Sequence, residues 1–126
     1  NCVENVRDAT GGGLEYAFEA AGSVKAMETA YKITRRGGTV TTVGLSHPEH
    51  SFSVQHVNLV AEEKTIKGSY LGSGVPARDI PRYIGLYQRG VLPVDKLITA
   101  RIPLDEINEA FDRLDDGSEL RQVIVF

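Results

Sequence analysis

Apolar and polar positions alternate with a period of two from Leu14 to Phe18, where Leu14, Tyr16 and Phe18 are separated by Glu15 and Ala17. That spacing predicts a strand near one edge of a sheet, and its carboxyl end is Glu19-Ala20-Ala21-Gly22. The period then lengthens. Val24, Met27, Ala30 and Tyr31 fall on one helical face, with Ser23 as the N-cap residue and with Arg35 and Arg36 expected in the last turn before Gly37. Thr39 to Val43 is β-branched throughout, which predicts a strand buried on both faces and ended by Gly44. Strand, crossover helix and strand in this order make a parallel βαβ unit, right-handed by the usual chirality.

Upstream, Val3 and Val6 read as the tail of an amphipathic element, and Gly11-Gly12-Gly13 breaks the chain before the strand. Asn1 falls where a helix should already be under way and no Met opens the chain, so the sequence reads as cut. Downstream, residues 46–58 form a polar loop leading to a short apolar turn around Val57, Leu59 and Val60. A further strand is expected from Thr65 to Tyr70, closed off by Gly72 and Gly74. Asp79 is a candidate cap for a helix that tolerates Pro81 in its first turn. Its Ile80, Tyr83, Ile84 and Tyr87 stripe calls for an apolar surface to lie on. Leu97 to Ile102 is a short strand candidate. A last helix buries Ile107, Ala110, Phe111 and Leu114 and stops at Gly117, and Gln122 to Phe126 is a terminal strand. Near Tyr70 to Gly74, parallel βαβ patterning gives way to an α+β tail.

Composition narrows the partner class. Among 126 residues, 41% are apolar and 25% charged, enough for a packed core. Fourteen basic residues against 17 acidic ones give a net charge of −3 with neither sign clustered, which is not the footprint of a nucleic-acid or anionic-membrane partner. No apolar run is long enough to span a bilayer, and no basic-then-apolar leader opens the chain, so the default expectation is cytoplasmic. The one cysteine, Cys2, cannot form an internal disulfide or hold zinc alone. His47, His50 and His56 have spacings that match no strong ligand pattern, and no nucleophile is paired with a base. Neither a metal nor a catalytic residue is assigned.

The glycine-ended strands at Gly22 and Gly44, with a third end at Ser69 to Gly72, would lie along one edge of a parallel sheet. Open α/β sheets bind ligands outside such carboxyl ends, so the residues describe either a crevice for a flat heterocycle or glycines that merely turn the chain. Arg121, beside the terminal apolar run, has a guanidinium suited to a pyrophosphate; a solvated surface arginine is the commoner alternative.

The ordered set from Gly13 to Gly22, Gly37-Gly38 to Gly44, Thr65 to Gly72, Asp105 to Phe111 and Gly117 to Arg121 resembles the carboxyl-terminal part of a zinc-dependent alcohol dehydrogenase of the medium-chain family, and covers nearly the whole chain. The resemblance implies an α/β fold: a partial, second-half Rossmann parallel sheet over residues 1–71, and an α+β tail over 72–126 that returns to a catalytic domain. It also implies a cofactor, NAD or NADP. Ala20 and Ala21 would line its adenosine side. The carbonyls of Val43 and Ser69 and the amide of Leu71 would read the nicotinamide carboxamide, with Gly44 at the same strand end. Leu45 and Tyr70 would border nicotinamide and substrate, and Arg121 would bind pyrophosphate.

In the intact enzymes a catalytic zinc polarises the oxygen of a small alcohol or aldehyde while the cofactor exchanges hydride. Every zinc ligand and the glycine-rich phosphate loop would lie upstream of Asn1, so the chain by itself is expected to be inactive. The resemblance further implies a homodimer through the edge strand from Thr65 to Ser69. Two alternatives are a zinc-free, quinone-reductase-like member of the family and a non-catalytic dimerisation or ligand-binding module.

Overall fold

The computed structural model describes residues 1–126, which divide into two compact units, Asn1–Gly74 and Val75–Phe126. In the first, helix α1 (Cys2–Ala9) is followed by strand β1 (Leu14–Glu19), helix α2 (Val24–Ile33), strand β2 (Thr34–Thr42), helix α3 (His56–Ala61) and strand β3 (Thr65–Gly68). The three strands form one parallel sheet in the order β1-β2-β3. Asn1 caps α1 through its side chain, which accepts from the Val3 amide. The helix expected to be under way at Asn1 therefore starts just after it.

The core of this unit is Ala17, Met27, Ala30 and Val40, with Tyr31, Ile33, Phe52 and Ile66 packed around it. In β1 the buried parity is the reverse of the one the apolar residues suggest: Ala17 and Glu19 face inward, whereas Tyr16 is 69% and Phe18 71% exposed. Small Ala17 pairs in register with Val40 beneath α2, where Met27 and Ala30 are buried. Packing against this crossover helix, not the bulk of the strand's side chains, decides which face is covered.

Helix α2 begins as expected, with the Ser23 hydroxyl accepting from the Ala26 amide at 3.1 Å, but ends at Ile33. Arg35 and Arg36 belong to β2 and not to a last helical turn. Thr34 turns extended at the helix end, and its buried hydroxyl donates to the Ala30 carbonyl at 2.7 Å. Beyond it, Arg35 pairs with Glu15 at 2.9 Å, Arg36 donates to the Ala61 carbonyl, and the Gly37 amide donates to Glu62. These tertiary partners replace the helical hydrogen bonds the segment gives up. The parallel register shifts here, from Leu14 opposite Thr34 to Tyr16 opposite Thr39. Of the segment expected to be buried on both faces, only Val40 is; Thr39, Thr41 and Thr42 are half-buried and Val43 lies beyond the strand, exposed.

The apolar turn at Val57 to Val60 is a helix, α3, and the strand expected to run to Tyr70 ends at Gly68, passing into a tight turn at Tyr70–Ser73. Lys64, at the entrance to β3, has a nearly inaccessible side chain. Its ammonium pairs with Glu62 at 2.6 Å, donates to the Tyr31 carbonyl at 3.2 Å and lies 4.5 Å from the Tyr31 ring centroid. The cation is thereby partnered on several sides, as a buried charge must be.

The second unit contains helix α4 (Pro76–Gln88), strand β4 (Ala100–Ile102), helix α5 (Ile107–Asp115) and strand β5 (Gln122–Ile124). The two strands pair in parallel, with α5 between them in sequence. Asp79 is in the first turn of α4 and Pro81 inside the helix; the N-cap residue is Val75. The Ile80, Tyr83, Ile84 and Tyr87 stripe is exposed and does not lie on an apolar surface. The strand candidate at Leu97 is shorter than expected, because Val94–Leu97 forms a 3₁₀ turn. The buried apolar residues here are Ile102 and Ala110. Gln122 locks β5 onto α5, donating to the Ala110 carbonyl at 2.7 Å and accepting from Arg113 at 3.0 and 3.1 Å.

Candidate functional site

The carboxyl ends of the three strands of the first unit finish level with one another. Glu19 stands opposite Thr42, and Thr42 opposite Gly68. One step further, the Val43 amide donates to the Glu19 carbonyl at 2.8 Å and the Ser69 amide to the Thr42 carbonyl at 2.9 Å. Past these rungs the regular ladder stops, with only a longer bond of 3.4 Å from the Gly44 amide to the Glu19 carbonyl. Thr42, Val43, Gly44, Leu45, Gly68, Ser69 and Tyr70 line a groove of about 410 Å³ on this rim. The Val43 carbonyl accepts none of the chain's own hydrogen bonds, so it is available to a donor entering the groove.

Two glycines let the rim close up. A Cβ on Gly44 would collide with the amide and Cα of Gly22, and a Cβ on Gly22, whose φ is +67°, would collide with the Leu45 carbonyl. The turn after β1 and the end of β2 therefore pack backbone against backbone. On the β3 side, Leu71, Gly72 and Ser73 have φ of 47°, 67° and 56°, a left-handed run that includes two side-chain-bearing residues. Strain of this kind persists where the surroundings over-determine it. Here the Ser69 and Ser73 hydroxyls are bonded across the turn at 3.0 Å.

Beneath the rim, Glu19 is only 4% exposed. One carboxylate oxygen accepts from the Thr42 hydroxyl and the other from the Gly22 amide, both at 2.6 Å. The Thr42 hydrogen bond holds the Glu19 carboxyl below its ordinary value. Burial opposes that shift, and the amides of Gly22, Ala21 and Ser23 reinforce it. A carboxylate that accepts several such bonds stays charged. A second, smaller cleft of about 200 Å³ is lined by Glu19 and Thr42 together with Met27, His50 and Phe52.

The residues singled out from sequence fall into four places. Val43, Gly44, Leu45, Ser69 and Tyr70 share the groove. Ala20 and Ala21 are exposed in the adjoining turn after β1, and Leu71 is exposed in the left-handed turn. Arg121 belongs to the second unit, where its main chain holds Thr99: the Arg121 carbonyl accepts from the Thr99 amide at 2.8 Å, and the Arg121 amide donates to the Thr99 hydroxyl at 3.1 Å. Its side chain is exposed. Glu19 is the buried polar residue at this rim that the sequence pattern does not single out. Parity points away from it, because the apolar Leu14, Tyr16 and Phe18 occupy the other side of β1; the only local mark of Glu19 is its place just before a glycine-ended turn.

No group of three or more His, Cys, Asp or Glu side chains is placed to hold a metal ion. The His47 and His50 rings are 5.2 Å apart on the exposed loop after β2, and Cys2 is free and exposed. No helix is long and apolar enough to cross a membrane.

A family profile described as zinc-binding dehydrogenase matches residues 1–89. Alcohol dehydrogenase 1 of Cenchrus americanus is 34% identical over 122 residues, 96% of this chain and 32% of that protein. Alcohol dehydrogenase 1 of Pisum sativum is 33% identical over 120 residues, 94% of this chain and 31% of that protein. Among solved structures, benzyl alcohol dehydrogenase from Acinetobacter calcoaceticus matches with a TM-score of 0.88 and 30% identity, over 98% of this chain and 34% of that one. The chain thus spans about a third of the length of these relatives.

Proposed function

The chain belongs to the zinc-binding dehydrogenase family, and from that premise we propose that it supplies the carboxyl-terminal part of an NAD(P)-dependent alcohol dehydrogenase, interconverting small alcohols with aldehydes or ketones. The observation that carries this reading is the level rim of three parallel strand ends, where main-chain groups and the glycine pair Gly22 and Gly44 border an open groove. Residues 1–71 act as the second half of the cofactor domain, and 72–126 as the segment returning to the catalytic domain. The Val43 and Ser69 carbonyls and the Leu71 amide bind the carboxamide, next to Gly44. Ala20 and Ala21 leave room for the adenosine, Leu45 and Tyr70 border the reacting ring, and Arg121 pairs with pyrophosphate.

The chemistry of these groups fits a nicotinamide carboxamide, which offers both a donor and an acceptor to main-chain partners. When bound, the cofactor supplies the hydride exchange and a zinc ion held outside this chain polarises the substrate oxygen. This chain's own contribution is to bind and orient the ring. The experiment is to titrate the full-length product of the encoding gene with NADH and NADPH, and to assay zinc-dependent oxidation of benzyl alcohol and ethanol. Binding with zinc-dependent turnover supports the reading. Binding without zinc dependence favours the quinone-reductase-like alternative, and absence of dinucleotide binding refutes both. The 126-residue chain by itself is expected to show no zinc-dependent oxidation.

Pairing through the outer edge of β3 is part of the same proposal. That strand ends the sheet, and an open strand edge is a template for a second copy. Sedimentation of the full-length protein should give a dimer that an edge-disrupting Ile66→Pro variant dissociates; a strict monomer at high concentration would remove the claim.

A further inference from the structure

We infer that buried Glu19, held by Thr42 at the wall of the groove, is a positioning residue for the dinucleotide: an ionic clasp outside the groove lining that fixes its main-chain rim. This rests on the cofactor reading above. A rim whose contacts are main-chain groups takes its geometry from whatever holds the backbone in place, so the controlling side chains lie beneath it.

Four hydrogen bonds converge on this pair. The Glu19 carboxylate ties the turn after β1 through the Gly22 amide, and ties the end of β2 through the Thr42 hydroxyl. The Glu19 carbonyl accepts from the Val43 amide, and the Thr42 carbonyl accepts from the Ser69 amide. Two adjacent in-register residues thereby join all three strand ends. A carboxylate this deeply buried opposes folding unless its partners satisfy it, and an apolar residue would pack there at lower cost. The carboxylate offers what an apolar side chain lacks, two acceptors aimed at separate segments. Gly22 and Gly44, in mutual backbone contact, leave those segments no slack, so a shift at Glu19 is transmitted directly to Val43.

The test compares Glu19→Gln, Thr42→Val, Thr42→Ser and Thr34→Val in the full-length protein. Thr34 is also buried and hydroxyl-bonded, but to Ala30 at the far end of β2, so it reports a purely structural loss. Glu19→Gln and Thr42→Val should each weaken NADH binding by about tenfold, the scale of losing a charged hydrogen bond. Thr42→Ser should restore affinity to within about twofold, and Thr34→Val should lower Tm with affinity unchanged. Amide exchange gives a ligand-independent readout: Gly22 and Ser69 should exchange faster in Glu19→Gln and Thr42→Val, but not in Thr34→Val. Unchanged affinity in Thr42→Val, equal loss in Thr34→Val, or unchanged exchange at Gly22 and Ser69 would each overturn the inference. Failure of the unmodified protein to bind NADH or NADPH, with exchange responding as stated, would instead refute the cofactor reading and leave the clasp as a structural element only.

Discussion

Gly44 sits so close to Gly22 that a single methyl group on either would enter the other segment's backbone. Because the neighbours are main chain, they cannot swing aside as a flexible side chain would. Gly44→Ala is expected to destabilise the first unit by about 1–3 kcal/mol through overpacking and to distort the groove. Urea denaturation followed by far-UV circular dichroism measures the stability loss; an unchanged midpoint would contradict the contact.

Acid should act on the same rim. Glu19 titrates below its ordinary value of 4.5 in the folded chain, so the unfolded chain binds the proton more readily. The stabilisation is complete above about pH 4.5 and is lost as pH falls through the lowered folded value. Asp79 and Asp116 shift in the same direction, so whole-protein acid unfolding mixes the three. The difference between the unmodified protein and Glu19→Gln isolates the first: it should shrink steadily as pH is lowered from 5 toward 3, and a difference independent of pH would count against an ionised Glu19.

Tyr31 offers a test of opposite sign. Its hydroxyl is buried with no hydrogen-bond partner, and burial, followed by the nearby Glu62 charge, pushes its ionisation up. Tyr31→Phe removes an unsatisfied polar atom while keeping the ring beneath Lys64. Stability should stay level or rise by about 1 kcal/mol, read from the denaturation midpoint. A clear loss would mean that the hydroxyl has a partner.

In the second unit, Asp79 holds the start of α4. Its carboxylate accepts from the Val75 amide at 2.7 Å and from Arg78 at 2.7 and 2.8 Å. The Arg78 hydrogen bonds, then that of Val75, hold the Asp79 carboxyl below its ordinary value. Asp79→Ala frees the N-cap amide and should lower helicity and Tm in thermal melts, whereas Asp79→Asn, which keeps one acceptor, should lose less. Equal melts for all three proteins would remove the capping role.

Much of the fold is legible in the residues themselves. The period-two run at Leu14 to Phe18, the Ser23 cap before a 3.6-residue stripe and the β-branched Thr39 to Val43 establish a parallel βαβ unit, because backbone propensity and capping act within a few residues. The glycines at 22 and 44 likewise mark the strand ends that border the groove. Tertiary structure alone decided that Ala17 and Glu19, not Tyr16 and Phe18, face the core, and that α2 stops at Ile33. Those outcomes depend on partners distant in sequence: α2 lying over Ala17, the contacts of Arg35, Arg36 and Gly37 with Glu15, Ala61 and Glu62, and Thr42 meeting Glu19 across 23 positions. Local pattern tells which side chains prefer burial; only the register of the sheet determines which of them receive it.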